Sequence, residues 1–263
     1  MDLGLKNKIA VVTGSSRGLG YATAVALAKE GCMVAINGRD EAKIKSVAEK
    51  IHKETGAQVI GLAGDVSLTD VPEKIIAQTV ETFGGLDILI TNAGGPPTGN
   101  IDTLDEAAWH KGVDLCLMLH VRLIRAALPH LRKSSAASIL TITSLSAKQP
   151  IPNLLLSNSI RAGTVGLTKS LALDLGREGI RVNSILPGWT KTERVTELMT
   201  ARATANSSTV EEETRKQAEQ SPLGRLGQPE EFANAAAFLV SPAASYITGV
   251  MLNVDGGMYK GTL

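Results

Sequence analysis

Ile9-Ala10-Val11-Val12-Thr13-Gly14-Ser15-Ser16-Arg17-Gly18-Leu19-Gly20 runs from an aliphatic stretch through a glycine-spaced turn into a segment of helical pattern, Gly18 to Glu30. The aliphatic run does not alternate, as expected of a strand buried on both faces. Similar runs recur at Met33 to Asn37, Gln58 to Leu62, Asp87 to Thr91, Ser138 to Thr143, Ile180 to Leu186 and Val250 to Val254. Between the early ones lie Glu41 to Thr55 and Thr69 to Phe83, with apolar residues three and four apart. Strand and helix therefore alternate, and right-handed crossovers stack about seven strands into one parallel, doubly wound α/β sheet. A single domain over residues 1–263 is the expectation. In such sheets ligands meet the carboxyl ends of the strands, so residues just after each strand carry the functional argument.

Composition narrows the partners. Hydrophobic residues make up 43% of the chain, and 27 Lys and Arg face 26 Asp and Glu, a formal charge of +1. That balance gives no electrostatic footprint for nucleic acid. No apolar run approaches the roughly 18 residues of a spanning helix, so no membrane role and a cytoplasmic location are expected. Cys32 and Cys116 form no disulfide framework, and no Cys or His spacing suggests a metal.

The turn after the first strand has glycines at 14, 18 and 20, with Ser16, Arg17 and Leu19 between them. Close backbone approach and an open helix N-terminus suit a pyrophosphate. Its TGxxxGxG spacing resembles the short-chain dehydrogenase/reductase family, whose fold is of the Rossmann type, and the likeness continues along the chain. Asp65-Val66 looks like the family's adenine-contacting pair. Asn92-Ala93-Gly94 looks like its NAG motif, and Asn183, Pro187-Gly188 and Thr192 resemble the segment facing the nicotinamide. At the end of the second strand an acidic residue would select NAD(H), but Asn37-Gly38-Arg39 stands there. Arg39 and Arg17 fall where a 2′-phosphate would lie, which favours NADP(H) over NAD(H); alternatively Arg39 is a solvated residue paired with Asp40.

Members of the family use an Asn-Ser-Tyr-Lys set, in which tyrosine exchanges the proton and lysine lowers its pKa. Ser144 aligns with the family serine. Thirteen residues on, where YxxxK is expected, the chain reads Ser157-Asn158-Ser159-Ile160-Arg161, and Cys116 falls at the asparagine position. Serine without a base is a poor donor at neutral pH, and arginine keeps its proton there. Tyr21, Tyr246 and Tyr259 all lie outside this helix. Ser144, Ser157 and Arg161 are the candidate catalytic residues, with Arg161 also a candidate for the cofactor ribose. His120, Lys148 and Cys116 are weaker alternatives: a packed histidine, an ordinary loop lysine and a thiol without a base are the plainer readings.

Residues 193–222 resemble the family's substrate lid. Leu198, Met199, Leu154 to Leu156 and Trp189 suggest an apolar pocket or simply packed helices, and the C-terminal segment implies a homodimer or homotetramer. The closest general resemblance is to β-ketoacyl carrier-protein reductases and their relatives lacking the tyrosine. Two functions follow from that resemblance: an oxidoreductase acting on a carbonyl or alcohol, or a non-catalytic NADP(H)-binding sensor or assembly partner.

Overall fold

A computed structural model describes residues 1–262. Seven strands, β1 (Ile9–Val12), β2 (Met33–Gly38), β3 (Val59–Ala63), β4 (Ile88–Thr91), β5 (Ser138–Ile142), β6 (Arg181–Pro187) and β7 (Met251–Val254), form one sheet. Their order is β3-β2-β1-β4-β5-β6-β7, with every pairing parallel. The order reverses between β1 and β4, which opens the crevice where doubly wound sheets bind ligands.

Alternate residues of each strand feed two cores. Ala10, Val12, Ile36 and Ile90 pack with Leu27 of α1 (Gly18–Lys29), Ile44 and Ile51 of α2 (Glu41–Thr55) and Phe232 of α9 (Pro229–Val240). Val11, Leu89, Ile139 and Val182 face Ile75 and Ile76 of α3 (Val71–Phe83), Leu123 and Leu131 of α5 (Leu119–Leu131) and Leu175 of α6 (Leu155–Leu175). Burying each such side chain contributes about 1.5–3 kcal/mol, so both faces hold the sheet in register.

Turn chemistry sets the helix limits. Asp40 accepts from the Lys43 N–H to start α2, and Gly56, at φ 73°, ends it in the left-handed region. The sequence pattern places the start of α3 at Thr69, whereas the helix begins at Val71 because Pro72 fits only the first turn. The stretch after Thr192 forms α7 (Glu193–Asn206) and α8 (Val210–Ala218), the latter started by a reciprocal Thr209–Glu212 capping box. Between α4 (Glu106–Val113) and α5 a single π turn, Asp114–Met118, keeps the helix continuous while widening it. Among the described residues no helix is long and apolar enough to cross a membrane.

Candidate active site

The glycine turn is fixed mostly by protein atoms. Thr13 Oγ1 donates to the Asn92 carbonyl (2.7 Å) and accepts from the Asn92 N–H (2.9 Å), while Asn92 Nδ2 donates to the Gly14 carbonyl (3.0 Å). A Cβ on Gly14 would come within 2.9 Å of Asn92, and one on Gly20 within 2.4 Å of the Gly14 carbonyl oxygen. Gly14 and Gly20 are thus required by the turn's own closure onto the end of β4. Gly18 is required by its φ of 60°. No side chain accepts from the N-terminal N–H groups of α3, α5 or α6 among the described residues, and none does so at the first turn of α1. Its N–H groups and positive dipole end are left open at the crevice, a donor set that fits a pyrophosphate.

Most of the expected residues lie at or just after the carboxyl ends of β1, β2, β3, β4 and β6. Leu19 turns its side chain into the core, so only its backbone can meet a ligand. Ser16 lies against Gly38, where an added Cβ would stand 3.1 Å from the serine Cβ. Asn37 is a bracket: its Oδ1 accepts from the Gly14 N–H (3.4 Å), and its Nδ2 donates to the carbonyls of Leu62 and Gly64. Arg39 is exposed and belongs to no ion pair among the described residues. Asp40 does not pair with it, because that carboxylate is spent capping α2. Asp65 Oδ1 accepts from the Ser67 N–H and hydroxyl, and Val66 is buried in the core. Ala93 packs on the same core, and a Cβ on Gly94 would meet open space. Pro187 ends β6, and the Gly188 N–H donates to the Val254 carbonyl (3.0 Å).

Arg17 departs from expectation. Its Nη1 lies 2.5 Å from Glu193 Oε2 and 3.2 Å from Glu197 Oε1 of α7, and the carboxylates raise its pKa further. The sequence offered no signal for this pairing across 176 positions. Asn183 also departs: it does not face the crevice. Fully buried in mid-strand, it donates to the Ile247 carbonyl and accepts from the Val250 N–H, pinning the approach to β7.

Beyond β5, Ser144 starts a short 3-10 turn, its Oγ accepting from the Ser146 N–H (3.1 Å). The hydroxyl proton remains available to donate. Ser157 is buried on α6 and shares a hydrogen bond with Ser146 (2.8 Å), a partner that the motif comparison missed. One turn further along α6, Arg161 is only 8% exposed. Its Nη1 makes one long contact, 3.4 Å, to the Ile142 carbonyl, while Nε meets no partner. No carboxylate pairs with it among the described residues.

Burial sets the state of two alternative candidates, His120 and Cys116, and a hydrogen bond engages the third, Lys148. His120 accepts or donates a bond to Thr91 Oγ1 (2.7 Å), and desolvation, helped by the Arg161 charge, pushes its pKa down to about 3. Cys116 lies within the π turn, where its carbonyl accepts from Thr164 Oγ1, and burial pushes its thiol pKa up despite Arg161. Lys148 neither swings toward Ser144 nor stands free: Nζ donates to the Met251 carbonyl (3.0 Å) and lies 5.2 Å from the Tyr259 ring centre. Leu156 packs with Cys116 and Ile160 instead of lining a pocket. An open groove of about 1000 Å³ follows α7, lined by Thr192, Val195, Met199 and Leu226, away from Ser144 and Arg161. No group of residues among those described could hold a metal ion.

Comparisons with known proteins agree with this fold. A family described as Enoyl-(Acyl carrier protein) reductase matches residues 14–259. An oxidoreductase of Thermotoga maritima is 36% identical over 97% of this chain and 98% of its own length. The 3-oxoacyl-[acyl-carrier-protein] reductase FabG of Chlamydia muridarum is 34% identical over 97% of this chain and 98% of its own. The L-sorbose reductase of Gluconobacter frateurii, solved with NADPH and L-sorbose, superposes with a TM-score of 0.95 at 32% identity, covering 99% of this chain and all of the other. With its seven parallel strands, glycine turn and relatives matched from end to end, the chain belongs to the short-chain dehydrogenase/reductase family of oxidoreductases.

Proposed function

We propose that the chain is an NADP(H)-dependent oxidoreductase acting on a carbonyl or alcohol, in which Ser144 and Arg161 meet the reacting oxygen in place of a tyrosine and lysine. The observation that carries the reading is Arg161: a guanidinium 8% exposed, with an unpartnered Nε and no counter-ion among the described residues. Burying an uncompensated charge costs several kcal/mol, and a ligand oxygen that develops negative charge would offset it.

The open first turn of α1, with Gly14, Ser16, Gly18, Leu19 and Gly20, would hold the pyrophosphate. Arg17 and Arg39 would take the 2′-phosphate, Asp65 and Val66 the adenine side, and Asn92, Ala93, Gly94, Pro187, Gly188 and Thr192 the floor near the nicotinamide. NADPH in the related sorbose reductase and in the actinorhodin ketoreductase supports the choice of dinucleotide. When bound, the nicotinamide supplies or receives the hydride. Ser144 donates its free O–H to the substrate oxygen, and Arg161 stabilises the charge on it without releasing a proton. Ser157 acts by holding Ser146, which in turn orients Ser144. With His120 held neutral and Cys116 kept as a thiol, water supplies the proton, so turnover is slow, by about 10²–10⁴-fold relative to a site with a general acid. Residues 193–222 act as the lid, and a homodimer or homotetramer belongs to the same reading.

The same neutral His120 and Cys116 favour a second reading, a protein that binds NADP(H) without turnover. Calorimetry with NADPH, then NADPH oxidation over ketones and β-ketoacyl thioesters, separates the two. Turnover that Arg161→Ala abolishes is expected; tight binding with no turnover on any of them would establish the second reading.

A further inference from the structure

Three observations place α7 across the mouth of the crevice. Arg17, on the glycine turn, is held by Glu193 and Glu197 in the first two turns of α7. Thr192, which caps α7, has its methyl 3.7 Å from where a Cβ on Gly18 would be. From the same helix Arg194 Nη2 donates to the Pro96 carbonyl (3.5 Å), beyond the Asn92-Ala93-Gly94 turn. α7 is thus tied to the glycine turn by a charge pair and to the β4 turn by a long hydrogen bond.

The charge pair occupies the residue that the phosphate reading requires. A 2′-phosphate brings close to two negative charges and oxygens matched to a guanidinium fork, whereas the side chains at this pair are 45% exposed for Arg17 and 62% for Glu193. Exposed ion pairs are weak, so an exchange from carboxylate to phosphate is favourable and reversible. Building on the NADP(H) reading above, we infer that Glu193 and Glu197 are dinucleotide-specificity residues: they hold Arg17 until a 2′-phosphate takes it, and that exchange frees the start of α7. NAD(H), lacking the phosphate, leaves the pair closed. The carboxylates therefore subtract from NADP(H) affinity while leaving NAD(H) affinity untouched.

The sizes follow from two relations. Apparent affinity falls in proportion to the fraction of protein in which Arg17 is available, and an exposed pair biases that fraction by roughly threefold to fivefold. Calorimetry on the full chain in low salt should show the Glu193→Gln/Glu197→Gln variant binding NADPH about threefold to fivefold more tightly, with NADH affinity unchanged. In an Arg17→Gln background the same two substitutions should give no gain, because nothing is left to release. Limited trypsin digestion of the wild type supplies a readout independent of binding: cleavage at Arg194 should quicken with NADPH but not with NADH. Unchanged or weaker NADPH binding by that variant, with the wild type binding normally, would overturn the inference alone. Failure of the wild type to bind NADPH would remove the reading on which it rests.

Discussion

The glycine turn and the start of α6 lie at the same edge of the sheet, yet they treat polar groups in opposite ways. At the glycine turn, Thr13 Oγ1, both polar atoms of Asn37 and Asn92 Nδ2 are spent on protein partners, while the backbone N–H groups at the start of α1 have no side-chain cap. Around α6, the Ser144 hydroxyl proton and Arg161 Nε are left unspent, the latter where water does not reach it. The first region is closed by its own side chains; the second keeps polar atoms without protein partners. Buried polar groups normally find partners, so an exception beside a crevice points to a ligand atom.

The sharpest way to break the comparison is Gly20→Ala. Its methyl would collide with the Gly14 carbonyl oxygen, backbone against backbone, and should lower stability by about 2–3 kcal/mol, or about 5–10 °C in Tm by calorimetric scan. A loss below about 1 kcal/mol would mean the turn is looser than its hydrogen bonds imply. The reacting side should respond in the opposite sense. Arg161→Met removes an uncompensated buried charge and should raise stability by on the order of 1 kcal/mol while abolishing turnover. A destabilised variant would show that the guanidinium has a structural partner.

The effect least visible at neutral pH belongs to His120. Its pKa lies near 3 in the folded chain and near 6.5 when unfolded, so the unfolded state binds the extra proton. The stabilisation is complete above about pH 6.5 and is lost as the pH falls toward 3, by at most about 1.4 kcal/mol per unit. Denaturant titrations of His120→Gln should show a correspondingly shallower decline in acid; parallel curves would mean the imidazole is not held neutral.

Strand positions were legible because β1, β4 and β5 are buried on both faces, and unbroken aliphatic runs have few other uses. The turn residues were legible as well, although for a reason different from the one first inferred: Gly14 and Gly20 answer to Asn92 and to each other. What local spacing could not reveal was long-range charge pairing. Arg17 reads as a free phosphate ligand until α7 is folded against it, and Asn183 reads as a crevice residue until Ile247 and Val250 claim its amide. Ser146 escaped notice because a hydroxyl two residues past Ser144 follows no helical or strand period that joins it to Ser157. The polar stretch of α8 gave little apolar pattern, and its capping box was the signal that could have found it.

The π turn at Asp114–Met118 has a consequence for how this chain tolerates insertion and deletion. Relative to a plain α-helix it accommodates one residue more, and each residue turns a helix by about 100°. Removing one residue there would let the helix run straight from α4 into α5 and would displace the Cys116 carbonyl from Thr164. Everything on the upstream side would then be rotated by that angle, carrying Trp109 away from the small core it shares with Leu156 and Ile160. In this segment the count of residues between Trp109 and His120 sets which face of α4 meets that small core.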